Sequence, residues 1–331
     1  MSGRPAILVT GGAGYIGSHC CMALDRAGFN PIVYDNFSTG HRSFVKGSLV
    51  EGDIADKAML ARAFAEHDIA AVMHFAASSL VGESITDPQK YYINNLAGTL
   101  SLLDAMRAAG CNRLVFSSTG AVYGNADSKA VAENYACAPI NPYGASKFMI
   151  ERVLADYRGA YGLGSFALRY FNASGADPSG CIGEKRDIET HLIPRAMMAL
   201  QGHVGDFAVF GDDYETPDGT AIRDYIHVTD LAAAHVLALK LLLQGHSGGV
   251  FNLGTGNGFS VREILAAIAA ETGREVPHVV KPRRAGDPTY LVADASAARA
   301  TLKFSPVHSD LATIIRTAWA WHKKAHPLKS K

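Results

Sequence analysis

Tyr143 and Lys147 stand four positions apart in a segment that begins with a helix signal. Asn141 and Pro142 precede them as an N-cap residue and a first-turn proline, and residues four apart share one helix face. A free tyrosine has a pKa of about 10, and a nearby ammonium group favours its phenolate form. The pair therefore suits proton transfer, with Tyr143 as acid/base and Lys147 as the group that lowers its pKa. The spacing is also compatible with an ordinary solvated helix face, since the chain has 13 tyrosines.

A glycine-rich loop follows the first apolar run, Ala6–Thr10, which is typical of a buried parallel strand. Gly12, Gly14 and Gly17 match G-x-G-x-x-G, and Gly11, Gly14 and Gly17 match G-x-x-G-x-x-G. A helix pattern comes next. Either spacing allows a tight turn and close approach of the backbone to a pyrophosphate, which then lies at the helix N-terminus. The first forty residues therefore predict a dinucleotide site.

An acidic residue ends the second predicted strand, Pro31–Tyr34. Asp35 stands 18 positions after Gly17, where a carboxylate binds the adenosine ribose hydroxyls in dinucleotide folds. The same carboxylate repels a 2′-phosphate, and the next four residues contain no arginine, so NAD is favoured over NADP. Arg42 lies a little further on and leaves some NADP use open. The alternative is that Asp35 is an ordinary turn residue.

The composition excludes several classes of protein. The 331 residues are 48% hydrophobic and 19% charged with a net charge of zero, which argues against a general binder of nucleic acid or anionic membranes. The basic residues cluster only in a short tail near Lys329 and Lys331. There are 13 histidines but neither H-E-x-x-H nor clustered Cys/His spacing, so no metal site is expected.

Cellular location is inferred from the cysteines and the N-terminus. The five cysteines form no C-x-x-C pair, which indicates reduced thiols in a reducing compartment. The N-terminus runs directly into the first strand and leaves no room for a signal peptide. No apolar run reaches the ~20 residues that span a bilayer. We expect a cytoplasmic protein without a membrane partner.

Strand and helix patterns alternate through the first half of the chain, which predicts an α/β fold with a doubly wound parallel (Rossmann) sheet. The alternation weakens near Ala173. We therefore expect an NAD-binding Rossmann domain at 1–173 and a smaller C-terminal α/β lobe at 174–331, with a strand at 251–253 returning to the first sheet. The other predicted elements are strands at 69–75, 113–117 and 165–170 and helices at 57–67, 87–109, 142–161, 229–244, 260–272 and 310–326.

Thr119 follows the strand 113–117 and supplies a hydroxyl 24 positions before Tyr143. Together with Lys147 these residues resemble the Ser/Thr-Tyr-Lys set of the extended short-chain dehydrogenase/reductase family, although serine is common where Thr119 stands. The chain resembles that family, and its nucleotide-sugar epimerases in particular, over nearly its full length. The resemblance rests on blocks at 10–18, 74–77, 81–84, 141–147, 168–172, 219–228, 252–256 and 283–287.

The resemblance implies roles at matching positions. The catalytic residues would be Thr119, Tyr143 and Lys147. Those binding NAD would be Gly11, Gly14, Tyr15, Ile16, Gly17, Asp35, Asn36, Ser38, Thr39, Asp53, Ile54, Phe75, Ala76, Ala77, Asn94, Tyr143, Lys147 and Tyr170. Those binding a UDP-sugar would be Thr119, Tyr143, Asn172, Arg223, Arg284 and Leu291, with the arginines on the phosphates. A homodimer formed through helices of the first domain is also implied.

The implied reaction is reversible C4 epimerisation of a UDP-hexose, UDP-glucose or UDP-galactose, with transient hydride transfer to tightly bound NAD and a 4-keto sugar, as in galactose metabolism. UDP-N-acetylhexosamines and UDP-pentoses are alternative substrates, because Leu291 falls where the family sets pocket size. A 4,6-dehydratase is less favoured, since Gly120-Ala121 replaces the acidic pair that elimination needs. A non-catalytic dinucleotide sensor should have lost Tyr143 or Lys147.

Overall fold

The computed structural model describes residues 3–126, 130–284 and 287–327, and within them the chain forms one large parallel sheet and two small sheets. The strands, in chain order, are β1 (Ala6–Thr10), β2 (Asn30–Asp35), β3 (Ser48–Glu51), β4 (Ile69–His74), β5 (Arg113–Ser117), β6 (Gly164–Tyr170), β7 (Asn172–Ser174), β8 (Ala208–Phe210), β9 (Ile222–His227), β10 (Gly248–Leu253), β11 (Gly258–Ser260), β12 (Val279–Lys281) and β13 (Tyr290–Leu291).

Helices cover both faces of the large sheet and pack around the small ones. They are α1 (Tyr15–Arg26), α2 (Lys57–Glu66), α3 (Val81–Thr86), α4 (Pro88–Tyr91), α5 (Gly98–Ala108), α6 (Pro142–Tyr161), α7 (Leu192–Leu200), α8 (Val228–Leu243), α9 (Val261–Thr272), α10 (Ser296–Leu302) and α11 (Leu311–Ala325). A π-helical segment, Tyr92–Ala97, joins α4 to α5, and 3₁₀ turns lie at Arg42–Phe44 and Gly120–Tyr123.

The large sheet has seven parallel strands in the order β10-β6-β5-β4-β1-β2-β3. Alternate residues of β1 enter different cores: Ile7 and Val9 pack with Leu24 of α1 and Leu231 of α8, whereas Leu8 joins the core on the other face with α2, α5 and α6. A strand buried on both faces reads as a continuous apolar run, which is why the sequence of β1 predicts it. The predicted doubly wound parallel sheet is confirmed.

The order of the strands determines where a ligand can bind. β1 lies between β2 and β4, so the chain winds in opposite directions from that point. The carboxyl ends of parallel strands share one edge, and ligands bind in the crevice where the winding reverses. The loops after β1, β2, β4, β5 and β6 therefore meet at one edge of the large sheet.

One predicted element differs from the structure. The pattern at 87–109 predicts a single helix, but its middle, Tyr92–Ala97, is π-helical. The buried side chain of Asn95 donates to Ser78 O and Ser146 Oγ, at 3.0 and 3.1 Å, and so couples this segment to the loop after β4 and to α6. Single π-helical turns of this kind are frequent at functional sites, and hydrophobic periodicity does not reveal them.

The second lobe is the part of the chain built on the two small sheets. In one sheet β9 pairs with β7, β11 and β13, and in the other β8 pairs with β12. A separate core joins α7, α9 and α11 through Ile193, Ile264 and Ile314. The strand β10 pairs with β6, so a late segment completes the large sheet. The division at 173/174 stays a prediction.

Some sequence features fall outside the described residues. These are residues 285 and 286 of the block 283–287 and the basic tail with Lys329 and Lys331. In the part of the chain that the structure covers, no helix combines the length and the apolar character needed to cross a membrane.

Candidate active site

The glycine loop between β1 and α1 is packed so closely that side chains are excluded. Gly11 has φ +71°, and a Cβ there would lie 2.6 Å from Ala76 N. A Cβ on Gly17 would lie 2.1 Å from Gly11 O. Gly14 is the N-cap of α1 and offers no side-chain cap, so the first N–H groups of the helix stay available to an anion. The loop therefore fits a pyrophosphate.

Asp35, at the end of β2, is turned back toward this loop. Its carboxylate accepts the N–H of Ala13 at 2.9 Å and the N–H of Phe37 at 2.8 Å. Burial raises the pKa of Asp35, and these backbone donors oppose that effect. A carboxylate beside the loop is positioned for ribose hydroxyls.

Arg42, which left NADP binding open in the sequence, is paired within the chain. Its guanidinium lies 2.5 Å from a carboxylate oxygen of Glu51 and 4.2 Å from the ring centroid of Phe37. A cation already paired with a carboxylate has less attraction for a 2′-phosphate. The geometry around Asp35 therefore favours NAD.

The remaining predicted dinucleotide contacts lie along the same edge. Asn36 donates to Asp53 at 2.7 Å, and the N–H groups of Phe75 and Ala76 donate to Thr10 O at 2.9 and 3.1 Å. The other members are Tyr15 and Ile16 in the first turn of α1, exposed Ser38 and Thr39 after β2, buried Ile54, Ala77 after β4, Asn94 in the π-helical segment and Tyr170 at the end of β6.

The three predicted catalytic residues come from two neighbouring elements. Thr119 follows β5, and Tyr143 and Lys147 lie on the first turns of α6. Thr119 Oγ1 accepts the N–H of Ala121 at 3.1 Å, and the Thr119 side chain hydrogen-bonds Tyr143. Replacement of the family's common serine by threonine therefore preserves the hydroxyl contact to Tyr143.

Burial raises the pKa of Tyr143, and two groups oppose this: the hydrogen bond from Thr119 and the charge of Arg186. The lowering of the Tyr143 pKa by Lys147 stays a prediction from the sequence. The Lys147 ammonium donates to Ser117 O at 2.9 Å and lies 4.8 Å from the centroid of Phe116. Burial lowers the pKa of Lys147 to about 7, against the charge of Glu151.

A buried ion pair lies behind the catalytic helix. Glu151 is one turn beyond Lys147, and its carboxylate contacts the guanidinium of Arg169 at 2.5 Å. Ser118 Oγ also donates to Glu151 at 2.5 Å. The sequence reasoning missed Glu151 and Arg169, although extending the helix face from Tyr143 by two steps of four identifies Glu151.

The predicted substrate residues gather on the second lobe, beside the end of β6. Asn172 on β7 donates to Asp224 O on β9 at 2.9 Å. Arg223, also on β9, donates to Asp287 at 2.8 Å, and Arg284 approaches the same carboxylate at 3.9 Å. The structure therefore brings the two arginines together around one carboxylate.

Leu291 on β13 is aligned with Arg223 in the parallel pairing of β13 with β9. It packs against the apolar cluster of Val122 and Tyr123. The predicted pocket-size residue thus connects the strand of Arg223 to the segment after Thr119.

Loop 175–191 contributes charged residues that the sequence reasoning did not single out. His191 Nδ1 lies 2.9 Å from Glu184 and 3.1 Å from Glu189, and Arg186 Nε lies 3.1 Å from Glu184. The two carboxylates raise the pKa of His191 to about 9, so it is cationic at neutral pH. In this structure these side chains pair with one another as an ion-pair cluster. His191 and Glu184 also line a cavity together with Asn172.

The chain as a whole is similar to known proteins of one family. Residues 7–254 match the NAD dependent epimerase/dehydratase family. The UDP-glucose 4-epimerase of Rhizobium leguminosarum bv. trifolii is 52% identical over 98% of this chain and 99% of its own length. The Brucella ovis UDP-glucose 4-epimerase, solved in complex with NAD, superposes with a TM-score of 0.94 at 56% identity, covering 96% of this chain and 98% of that chain.

A second similar structure carries both kinds of ligand. The UDP-glucose 4-epimerase of Bifidobacterium longum, in complex with NAD+ and UDP, superposes with a TM-score of 0.90 at 36% identity over 96% of this chain and 98% of that chain. The resemblance drawn from the sequence is confirmed. This chain belongs to the NAD dependent epimerase/dehydratase family.

Proposed function

We propose that this chain is an NAD-dependent epimerase that interconverts UDP-glucose and UDP-galactose by inverting C4 of the hexose. The observation that carries the proposal is that the glycine loop after β1 and Thr119 after β5 follow strands of one parallel sheet, at the same edge. Leu291, aligned with Arg223, packs against Val122 close to Thr119 in the chain and so connects the arginines to that edge. The same activity is named for relatives at about half identity over nearly the full chain.

NAD fits the cradle and the carboxylate of Asp35, and when bound it supplies a reversible acceptor for the hydride of the sugar C4. The N-terminal turn of α1 would hold the pyrophosphate through free N–H groups. Asp35 would accept the ribose hydroxyls while staying bonded to Ala13. Phe75, Ala76 and Asn94 would line the rest of the groove.

Tyr143 would take the proton from the sugar 4-hydroxyl and later return it. Its pKa stands above the ordinary tyrosine value in the unliganded protein because it is buried. The hydrogen bond from Thr119 stabilises the phenolate in part. Lys147, held on Ser117 O, would favour the phenolate further through its positive charge, together with the charge of a nearby cationic nicotinamide. General acid–base catalysis of this kind contributes about 10²–10⁴-fold to a rate.

Arg223 and Arg284 would bind the diphosphate of the UDP moiety. Both now share the single carboxylate of Asp287, whereas a diphosphate offers several oxygens to two guanidinium groups. Asn172, between the two lobes, would contact the substrate near its sugar. Anchoring through the nucleotide leaves the sugar free to turn and present either face at C4, as inversion requires.

A dehydratase is disfavoured by packing as well as by composition. Its chemistry needs an acid and a base next to Thr119, where this chain has Gly120 and Ala121. A Cβ on Gly120 would lie 2.7 Å from the ring of Phe171. A carboxylate side chain does not fit at that position without displacing the ring.

The deciding experiment is incubation of the purified protein with UDP-galactose, without added NAD, followed by separation of the sugar nucleotides. Appearance of UDP-glucose supports C4 inversion with a retained cofactor. Conversion only after NAD is supplied supports the same reaction with a loosely held cofactor. No conversion in either case overturns the proposal.

UDP-N-acetylglucosamine and UDP-xylose in parallel reactions test the alternative substrates at Leu291. We expect UDP-hexoses to be turned over fastest, because packing against Val122 and Tyr123 holds the Leu291 side chain in place. Faster turnover of the N-acetylated sugar would instead identify an N-acetylhexosamine epimerase. The Leu291→Ser variant, with a smaller side chain, should shift the ratio toward the N-acetylated substrate.

We further propose a cytoplasmic homodimer with an NAD-binding part at 1–173 and a nucleotide-sugar-binding part at 174–331. Four exposed apolar side chains support the dimer, because α3, the π-helical segment and α6 pack together and carry Val81, Ile85, Ile93 and Met149. Light scattering of the Ile93→Asp variant tests it, with a monomer as the expected result.

The free thiols of all five cysteines support a reducing compartment.

A further inference from the structure

Residues 118–123, called the Thr119 segment below, follow β5 and include a 3₁₀ turn. Thr119 caps that turn, because its Oγ1 accepts the N–H of Ala121 at 3.1 Å. The segment packs closely on the first turn of α6, since a Cβ on Gly144, next to Tyr143, would lie 2.6 Å from Ala121 O. The position of the Thr119 hydroxyl therefore depends on how this segment is held against α6.

A buried ion pair on neighbouring elements supports the Thr119 segment. Glu151 lies on α6 and Arg169 on β6, and both side chains are buried. Arg169 Nε donates to Glu151 Oε1 at 2.9 Å, and its Nη2 donates to Oε2 at 2.5 Å. Two charge-assisted hydrogen bonds side by side fix the orientation of the guanidinium against the carboxylate. The pair is therefore a rigid support.

The ion pair is attached to the Thr119 segment at the first residue of that segment. Ser118 is buried, and its Oγ donates to Glu151 Oε1 at 2.5 Å. The preceding residue, Ser117, accepts the ammonium of Lys147 on its backbone oxygen at 2.9 Å. Lys147 and Glu151 are four positions apart on α6, so they share one face of that helix. Two successive residues of the chain are thus fixed along the face of α6 that carries Tyr143.

The same ion pair is attached to the last residue of the Thr119 segment. Arg169 Nη1 donates to the hydroxyl of Tyr123 at 2.8 Å, and that hydroxyl donates to Asn252 Oδ1 on β10 at 2.7 Å. The Tyr123 side chain is buried. Each end of the segment is therefore bonded to Glu151 or to Arg169, and the Thr119 hydroxyl lies between the two attachments.

We propose that Glu151 and Arg169 are positioning residues, which hold the Thr119 segment so that the Thr119 hydroxyl meets the phenol of Tyr143. The inference rests on the proposed function, because it assigns the ion pair to the same reaction. Folding stability alone is a weaker explanation of the pair, since desolvation of two buried charges offsets most of their attraction. Geometry at reacting groups has a large effect, because a displacement of about 1 Å can cost about 10²-fold in rate.

Two variants break the attachments and keep both charges of the ion pair. Ser118→Ala removes the bond at the first residue of the segment, and Tyr123→Phe removes the bond at the last residue. Glu151 and Arg169 keep their two hydrogen bonds to each other in both variants. Replacing either member of the pair would instead leave one buried charge without its partner, and loss of folding would then obscure the effect on turnover.

The first experiment measures turnover of UDP-galactose by each variant, alone and combined with Thr119→Ala. Ser118→Ala should lower kcat about tenfold with KM within about 2-fold, because the hydroxyl is displaced while the substrate-binding residues are unchanged. Tyr123→Phe should lower kcat in the same direction. In the Thr119→Ala background each change should alter kcat by less than about 2-fold, because the group that the attachments position is absent. Equal losses of kcat in the two backgrounds would indicate a merely structural role and overturn the inference.

Ser165→Ala is the matched control. Ser165 on β6 is also buried, and its Oγ accepts Arg158 Nη2 at 3.1 Å, so it too is a buried serine bonded to a charged side chain of α6. Arg158 lies near the end of α6 that is opposite to Tyr143. Ser165→Ala should leave kcat within about 2-fold. A loss as large as that of Ser118→Ala would show that the effect is not specific to the Thr119 segment and overturn the inference.

A second readout needs no turnover. Ultraviolet difference titration of the NAD-loaded protein follows ionisation of Tyr143 when the signal of the same variant carrying Tyr143→Phe is subtracted. The hydrogen bond from Thr119 favours the phenolate, so Thr119→Ala should lower the ionisation constant about 3-fold or more. Ser118→Ala should lower it by a smaller factor, and Ser165→Ala should not change it.

The titration also separates the inference from the proposed function. A Ser118→Ala protein that titrates like the wild type overturns the inference. If Ser118→Ala fails to fold, Tyr123→Phe must lower both kcat and the ionisation constant of Tyr143. A wild-type protein that epimerises no UDP-sugar overturns the proposed function alone, because the titration still decides whether the ion pair positions Thr119.

Discussion

The two sides of the cleft are built in different ways. On the proposed cofactor side, ligand contacts would come from backbone N–H groups and from Asp35, whose carboxylate is already held by backbone donors. On the proposed substrate side they would come from Arg223 and Arg284, long side chains that share one carboxylate. The cofactor side would then be preorganised, whereas the substrate side would exchange protein ion pairs for ligand ones. This suits an enzyme that retains its cofactor and releases its substrate.

The secondary structure that supports the two sides also differs, being more extensive on the cofactor side. The cofactor side stands at the end of a seven-stranded sheet with a core on each face. The arginines lie on or near strands of two to six residues, and the side chain of Arg284 is 62% exposed while that of Arg223 is 14% exposed. Substitutions on the two sides should therefore affect different steps.

The largest effect is expected from Tyr143→Phe, which acts where the two sides meet. Turnover should fall about 10³-fold, because the group that accepts and returns the proton is lost. Retained NAD and UDP affinity should both stay within about 2-fold, since neither side has changed. Turnover assays, cofactor quantification after denaturation and UDP calorimetry check this. Tyr161→Phe, at the exposed end of the same helix, is the control, and near-normal turnover of Tyr143→Phe would refute the assignment.

Arg223→Ala tests the substrate side alone. UDP affinity should fall about 10- to 100-fold, because a charge-assisted hydrogen bond is worth about 1.5–3 kcal/mol and Asp287 loses its closer partner. Arg284→Ala should cost only a few-fold, since its side chain is mostly exposed and solvent screens its charge. Retained NAD should be unchanged in both variants. Loss of NAD in either would mean that the two sides are not independent.

Asp35→Ala tests the cofactor side in the same way. NAD affinity should fall about tenfold through loss of the ribose contact and of the acceptor for Ala13 and Phe37, which is about 1.4 kcal/mol. UDP affinity should stay unchanged. Asp35→Asn, which keeps an acceptor oxygen, should lose less. Equal weakening of NAD and UDP by Asp35→Ala would show that the variant perturbs the whole fold.

The same contrast explains what the sequence could predict. β1, the glycine loop and the start of α6 are local features, since apolar runs, glycine spacing and an Asn-Pro cap each act within a few residues. The observed bounds of β1 and α6 match the predicted ones. Apart from β9, the described strands of the small sheets have only two or three residues, too few to show a period, and the roles of residues on these sheets came only from resemblance to a family.

Local sequence patterns do not identify Arg186, for a different reason. It is one charged residue in a loop, 43 positions after Tyr143 in the sequence. The attachment of the loop 175–191 to Tyr15 and His41 brings it toward the edge of the large sheet. The sequence offered Lys147 as the cation that acts on Tyr143, because a spacing of four on one helix can be recognised within a few residues, and that role stays a prediction.

Two buried histidines, one on each side, extend the comparison to the pH dependence of folding stability. His74, beneath the cofactor edge, uses both ring nitrogens: Nδ1 contacts Thr10 Oγ1 at 2.7 Å and Nε2 contacts Thr99 Oγ1 at 2.8 Å. His322, in the second lobe, has a buried Nδ1 that finds no hydrogen-bond partner among the residues that the structure describes. Burial, followed by the charge of Lys147, lowers the pKa of His74 to about 3, and burial with His326 lowers that of His322 to about 4.

The sign of the pH effect follows from proton uptake. Between pH 6.5 and the folded pKa, the unfolded chain binds a proton at each of these histidines and the folded chain does not. The free energy of unfolding therefore falls by about 1.4 kcal/mol per pH unit for each one as pH drops through that window. Above pH 6.5 the two histidines do not change the free energy of unfolding. Urea unfolding at pH 7, 6 and 5 measures the slope.

His74→Leu and His322→Leu should each reduce that slope, by similar amounts down to about pH 4. At pH 7 they should differ: His74→Leu leaves two buried threonine hydroxyls with one fewer partner, at a cost of about 1–3 kcal/mol, whereas His322→Leu removes an unpartnered nitrogen and costs less. An equal cost at pH 7 would mean that the hydrogen bonds of His74 add nothing to the cofactor edge. A smaller cost for His74→Leu than for His322→Leu would contradict the comparison of the two sides. A preorganised cofactor edge predicts that its buried polar contacts contribute more to folding stability than those of the second lobe.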